Sequence, residues 1–168
     1  MTGVPRPIVV LRIADVRALH GLIRWTGAFT PHPGHDPHVH ATLSAIQILA
    51  THDALERLDG KRDAIVACAR SPCARRSSGT DIVSLQDTET GSFAGDEWGE
   101  VDTRFSYCAI SALSLLGRLD AIDRDRAAEW IGRCRNFDGG FGTTEGAESH
   151  AAYGAYAEPS MIASCAGR

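Results

Sequence analysis

Four histidines crowd into nine positions of GAFTPHPGHDPHVHATLSAIQIL (27–49): His32, His35, His38 and His40. Imidazoles at this spacing serve either as metal ligands or as cations and hydrogen-bond donors toward an anion. Two of them with Asp36 could hold a zinc ion, but no cysteine lies nearby and no other stretch keeps the pattern. No metal-ligand set is therefore assigned. A simpler pattern does recur, an acid followed two residues later by a cation: Asp36-Pro37-His38, Asp102-Thr103-Arg104 and Glu148-Ser149-His150.

Each triplet stands just ahead of a segment that reads as a helix. Helix N-termini present unsatisfied N–H groups and positive potential. If the helices share one end, His38, Arg104 and His150 gather at a common mouth with Asp102, a place for a phosphate or carboxylate. The carboxylates can equally act as caps and inter-repeat partners with no ligand involved. Spacing alone leaves both readings open.

The elements that must position these residues form a repeat. Three segments open with glycine, a small residue and phenylalanine, at Gly27, Gly91 and Gly139. Each continues through a Gly-rich loop into its triplet. Behind the second triplet, Ala109, Ile110, Ala112, Leu113, Leu115 and Leu116 leave no polar face, which predicts a buried helix. A second helix over 124–134 places Ala127, Trp130, Ile131 and Cys134 on one stripe, with Asp123 as its N-cap and NFDGG as its stop. Gly-rich loop, buried helix, turn and amphipathic helix form one unit. Stacked units make a solenoid or, when they close, a double-layered barrel, so the expected class is all-α, part of an α/α toroid.

Gly91 to Gly139 is 48 residues, whereas Gly27 to Gly91 is 64. The surplus falls in the basic stretch CARSPCARRSSGTDI (68–82), read as an insertion that interrupts one amphipathic helix. The expected organisation is a divergent N-terminal segment (1–26), toroid repeats (27–153) with the insertion at 68–82, and a divergent tail (154–168).

With 168 residues, 43% of them hydrophobic, and a net charge of −4, the chain suits one domain and offers no surface for nucleic acid. It lacks an apolar run long enough to span a membrane. Five cysteines at irregular spacing (Cys68, Cys73, Cys108, Cys134, Cys165) read as reduced thiols, and the expected location is the cytoplasm.

The stretches GHDPHVHATLSAIQIL, GSFAGDEWGEVDTRFSYCAISALSLLGRLDAI and NFDGGFGTTEGAESHA closely resemble the β subunits of Rab geranylgeranyltransferases, the type II protein prenyltransferases. The resemblance covers roughly 27–67 and 83–152. It implies an α/α toroid around an apolar funnel, paired with an α subunit, that transfers geranylgeranyl from its diphosphate to C-terminal cysteines of Rab proteins presented by an escort protein. His150, in ESHA, matches the family histidine that contacts the lipid diphosphate, and Arg104 matches an arginine at the funnel mouth. The family also implies a catalytic zinc that makes the acceptor cysteine a thiolate. Its Asp, Cys and His ligands follow the ESHA segment in the family, and AAYGAYAEPSMIASCAGR (151–168) does not match them, so the chain is expected to be truncated and inactive alone. Two other classes stay in view. A terpenoid cyclase-like toroid is suggested by LQDTETGSF but lacks a DxDD motif, and a non-catalytic helical-repeat module would use the mouth for an anionic peptide terminus.

Overall fold

A computed structural model describes residues 28–32, 35–66 and 81–157. Five helices carry the architecture: α1 (Val39–Thr51), the short α2 (Arg62–Val66), α3 (Thr103–Leu115), α4 (Arg124–Arg133) and α5, helical from 151 to 157. Among the described residues the only extended pairings are isolated bridges such as Gln86 with Phe93 and Arg135 with Phe141. The all-α class expected from the repeats is what the chain adopts.

The buried helix predicted behind Asp102 is α3. Phe105, Cys108, Ala109, Ile110, Ala112 and Leu113 are each at most 3% exposed. A helix with small residues on several sides can be approached from more than one direction, and α3 packs against both α1 and α4. Fully burying a side chain such as Ile110 or Leu113 stabilises by roughly 1.5–3 kcal/mol. Leu115 is the exception to the apolar reading, 40% exposed at the end of the helix.

Helix α4 is amphipathic as its pattern requires. Ala127, Trp130 and Ile131 are buried, and Asp123 caps it by accepting the Arg126 N–H at 3.0 Å. Its outer face is tied to the preceding hairpin. Gln86 Nε2 donates to Asp123 O at 2.8 Å while Gln86 Oε1 accepts the Asp123 N–H at 2.9 Å, and Arg126 and Arg133 donate to the carbonyls of Glu89 and Thr90. Gly91, at φ +81°, lies so close to Arg126 that an added Cβ would fall 2.3 Å from its carbonyl oxygen. Only glycine satisfies both the left-handed backbone and that approach.

Repeat spacing appears in hydrogen bonds as well as in sequence. The first N–H of α1, on Val39, donates to Gly95 O at 2.9 Å, and that of α3, on Thr103, to Thr143 O at 2.8 Å. Each acceptor stands four residues after its repeat's opening glycine, so each loop seals the N-terminus of the preceding buried helix. The opening phenylalanines Phe29, Phe93 and Phe141 are all buried.

Two expected boundaries change. Of the proposed insertion, 68–80 lies outside the described residues, but Asp81 and Ile82 belong to the folded body: Ile82 is 1% exposed and its N–H donates to Ile65 O at 3.1 Å. Residues 154–157, assigned to the tail, continue α5, with Ala157 fully buried. The segment 1–26 and residues 158–168 lie outside the described residues.

Candidate anion-binding mouth

The residues that cap α1, α3 and α5 are His38, Asp102 and His150. His38 Nδ1 accepts the His40 N–H at 3.1 Å, Asp102 Oδ1 accepts the Arg104 N–H at 2.8 Å, and His150 Nδ1 accepts the Ala152 N–H at 3.1 Å. All three stand eleven residues after their opening glycine. The triplet reading is therefore corrected by two residues in the first and third repeats. Asp36 and Glu148 are exposed, and His38 and His150 hold the position that Asp102 holds in the second repeat. The residue equivalent to Arg104 is His40, with Ala152 in the third repeat. The apolar runs misled the alignment because helix interiors of Ala, Leu and Ile match nearly as well when slid by two.

Arg104 is the centre of the cluster. Its Nε and Nη2 donate to Asp102 Oδ1 and Oδ2 at 3.0 and 2.6 Å, a two-pronged pair with a buried carboxylate. That pairing, with Asp102's hydrogen bonds first among its causes, raises the Arg104 pKa further. The guanidinium carbon lies 5.8 Å from the Phe105 ring centre and 5.7 Å from that of Tyr153. Cation and aromatic face attract at this range. Nη1 has no hydrogen-bond partner among the described residues and stays available to an anion.

The other sites flank this arginine. His150 lies 5.6 Å from the Tyr153 ring on the side of α5, and Tyr153 thus contacts both His150 and Arg104. On the side of α1, His38 and His40 stack at 5.5 Å with planes 13° apart, and both meet Phe105 edge-on at 5.1 and 5.7 Å. Gly95 makes room for His38, since a Cβ there would sit 2.6 Å from its Nε2. An Nδ1 that accepts a backbone N–H leaves the neutral ring's proton on Nε2. His38 and His150 thus each offer an Nε2–H donor. Burial chiefly lowers the pKa of both His38 and His40; Asp96 and Glu100 partly restore that of His38, whereas His38 and Arg104 further lower that of His40.

His38, Asp102, Arg104 and His150 thus stand at or beside three helix N-termini, linked by contacts through Phe105 and Tyr153. Sequence reasoning left out Phe105, Tyr153 and the role of His40. Equal spacing from the opening glycines to the caps was the signal that would have placed His40 beside Arg104.

The described residues do not form the zinc site that the resemblance implies. No group of three or more His, Cys, Asp or Glu among them is placed to hold a metal. Cys108 and Cys134 are buried free thiols pushed up to about 12 and about 11, mainly by desolvation. A zinc-binding thiolate requires the opposite environment.

Helical hairpins whose glycine-rich loops seal the N-termini of the preceding inner helices define a segment of an α/α toroid. A family model described as the prenyltransferase alpha-alpha toroid domain matches residues 12–162, and the chain belongs to that family. It is 48% identical over 126 residues to the geranylgeranyl transferase type-2 subunit beta of Saccharomyces cerevisiae, covering 75% of this chain and 35% of the relative. With the type-2 subunit beta of Candida albicans it shares 45% over 128 residues, 76% of this chain and 36% of the relative. The protein farnesyltransferase subunit beta of Arabidopsis thaliana is 30% identical over 127 residues, 76% of this chain and 24% of that subunit. The chain thus spans about a third of the length of the type-2 subunits it matches, and its resemblance to them exceeds that to the farnesyl enzyme. Among solved structures, Candida albicans protein geranylgeranyltransferase-I complexed with GGPP superposes with a TM-score of 0.69 at 19% identity, covering 90% of this chain and 42% of that one. That likeness concerns the fold. No helix among the described residues is long and apolar enough to cross a membrane.

Proposed function

We propose that this chain is the diphosphate-binding part of a Rab geranylgeranyltransferase β subunit, with Arg104 and His150 holding the head of geranylgeranyl diphosphate. His38 and Asp102 complete the funnel mouth. In the assembled cytoplasmic enzyme, with an α subunit, the prenyl group would pass to C-terminal cysteines of Rab proteins delivered by an escort protein. The observation that supports this reading is Arg104 itself, fixed on one edge by Asp102, within 5.8 Å of the Phe105 ring centre and 5.7 Å of that of Tyr153, and with no hydrogen-bond partner for Nη1 among the described residues.

The residues divide the work by their chemistry. Asp102 fixes the angle of the guanidinium, so less freedom is lost when an anion arrives. Phe105 and Tyr153 limit water around it and strengthen its attraction for negative charge. The Nε2–H of His150 adds a neutral donor. By itself the chain is read as holding the lipid diphosphate without transferring it.

The test compares geranylgeranyl diphosphate with geranylgeraniol, using the full chain and its Arg104→Ala and His150→Ala variants. Losing a hydrogen bond to a charged group costs about 1.5–3 kcal/mol, or roughly 10–100-fold in affinity. That loss is expected for the diphosphate only; equal losses for both ligands would overturn the assignment. Incubated with an α subunit, escort protein, Rab and lipid diphosphate, the chain should form no prenylated product. Product above background would refute its inactivity.

A further inference from the structure

Arg104 and His40 occupy the same position in successive repeats, the second residue of a buried helix whose cap lies eleven residues after the opening glycine. Helices α1 and α3 pack on one another, and both N-termini are sealed by the following loop in the same way, through Val39 to Gly95 and Thr103 to Thr143. Two equivalent side chains on adjacent helices therefore start from the same end of the toroid. The ring contacts bring them together, because His40 and Arg104 both lie against Phe105. The ring nitrogens of His40 have no hydrogen-bond partner among the described residues, and the residue is exposed at its edge.

We propose that His40 is a further residue of the diphosphate site, contacting the anionic head beside Arg104 and taking up a proton as that head arrives. This rests on the reading of the mouth as a diphosphate site.

Of the two stacked histidines, His40 is the one free to change charge. Protonating His38 would place hydrogen on the Nδ1 that accepts the His40 N–H and would break the cap of α1. The groups facing His40 are His38 from its own element, and Arg104 and Asp102 from α3; Asp96 and Glu100, on the loop before α3, act on His38. Before ligand arrives, burial, His38 and Arg104 together disfavour an imidazolium at His40, against the opposing pull of Asp102. A diphosphate in front of Arg104 reverses the local sign and favours it. The proton comes from solvent, so binding and protonation are linked. The extra affinity is full below the pKa of His40 in the free protein, declines as pH rises toward its pKa in the complex, and is absent above that.

The test uses the full chain, titrated calorimetrically with geranylgeranyl diphosphate and with inorganic diphosphate, in buffers of different ionisation heat. His40→Phe keeps the ring against His38 and Phe105 without the proton. His40→Gln keeps a hydrogen-bonding side chain without the charge. Wild type should bind more tightly than H40F by a factor that approaches about tenfold below the free-protein pKa of His40, the consequence of a one-unit pKa rise on binding, that shrinks as pH rises through neutrality, and that vanishes above about pH 8.5. It should also take up more protons near neutrality than either variant, while H40Q retains part of the affinity with no extra pH slope. Subtracting the variants removes the ligand's own titration. Equal affinity and proton uptake for wild type and H40F overturns the proposal. A pH-independent loss overturns it too, assigning His40 to packing. If wild type binds neither probe, the diphosphate reading itself falls, and the role of His40 with it.

Discussion

Deleting residues 67–80 should stabilise the protein, whereas deleting 68–82 should destabilise it. Ile65 and Ile82 are seventeen positions apart, yet the Ile82 N–H donates to Ile65 O at 3.1 Å. Removing 67–80 leaves Ile65-Val66-Asp81-Ile82, in which that same hydrogen bond becomes the i to i+3 bond of an ordinary turn. Upstream is α2 and downstream the single 3-10 turn Val83–Leu85, so the join would restore a nearly continuous outer helix. Shortening the closed loop from about sixteen residues to two lowers the ordering entropy by roughly 2 kcal/mol, which in a domain of this size raises the melting temperature by about 4–8 °C. Extending the cut to residue 82 removes a side chain only 1% exposed. It also takes away the Asp81 carboxylate that accepts the Ser84 N–H at 2.9 Å. Losing a buried isoleucine alone costs about 2–5 kcal/mol, enough to cancel or exceed the gain. Thermal and urea denaturation of the three proteins, followed by far-ultraviolet circular dichroism, decide the matter. A lower midpoint for the 67–80 deletion would refute the insertion reading, and a higher one for 68–82 would refute the place given to Ile82.

Further outcomes follow from the same geometry. Asp102→Ala removes both the cap of α3 and the pair with Arg104, whose side chain is 37% exposed. After solvent screening this should cost about 2 kcal/mol in denaturation, whereas Asp102→Asn keeps the cap and should cost about half as much. Equal costs would mean the cap contributes nothing. The lowered pKa values of His38 and His40 make the folded state bind protons less readily than the unfolded chain, whose histidines titrate near 6.5. Stability is therefore highest above that value and declines as pH falls through it, until both states are protonated. In H40F, denaturation midpoints between pH 7.5 and 5.5 should fall less steeply than in wild type; an identical slope would place the titration elsewhere. Cys108 and Cys134, with pKa near 12 and 11, should resist alkylation at pH 8 until urea unfolds the chain, and rapid labelling of native protein would contradict their burial.

How much of this was written in the residues depends on the kind of signal. The elements were legible: α3 has no polar face, α4 has a clean stripe, and Asp123 caps it as its type and place require. Composition carries such information because burial sorts residues by polarity regardless of register. Register was not legible from the helices. Sliding one apolar interior along another by two residues leaves apolar against apolar, so the acid-x-cation pattern could align Asp36 with Asp102 at little apparent penalty. The loops specify it better, because opening glycines at positive φ, as at Gly91 and Gly139, and phenylalanines that must be buried tolerate no slip.

That distinction changes the chemistry assigned to the mouth. Under the slipped register, His38 is the counterpart of Arg104, and Asp36 and Glu148 are its attendant acids. Under the register set by Gly91 and Phe93, only the second repeat carries a capping carboxylate, so only Arg104 is held in a two-pronged pair. The first and third repeats cap with neutral imidazole nitrogen. They add donors to the mouth without adding negative charge, whereas three carboxylate caps would have brought two further anionic groups beside the one at Asp102. Replacing His38 or His150 by aspartate should therefore preserve the helix cap and the melting temperature while weakening diphosphate binding. If binding survived those substitutions, the mouth would be a set of helix caps with no anion to hold.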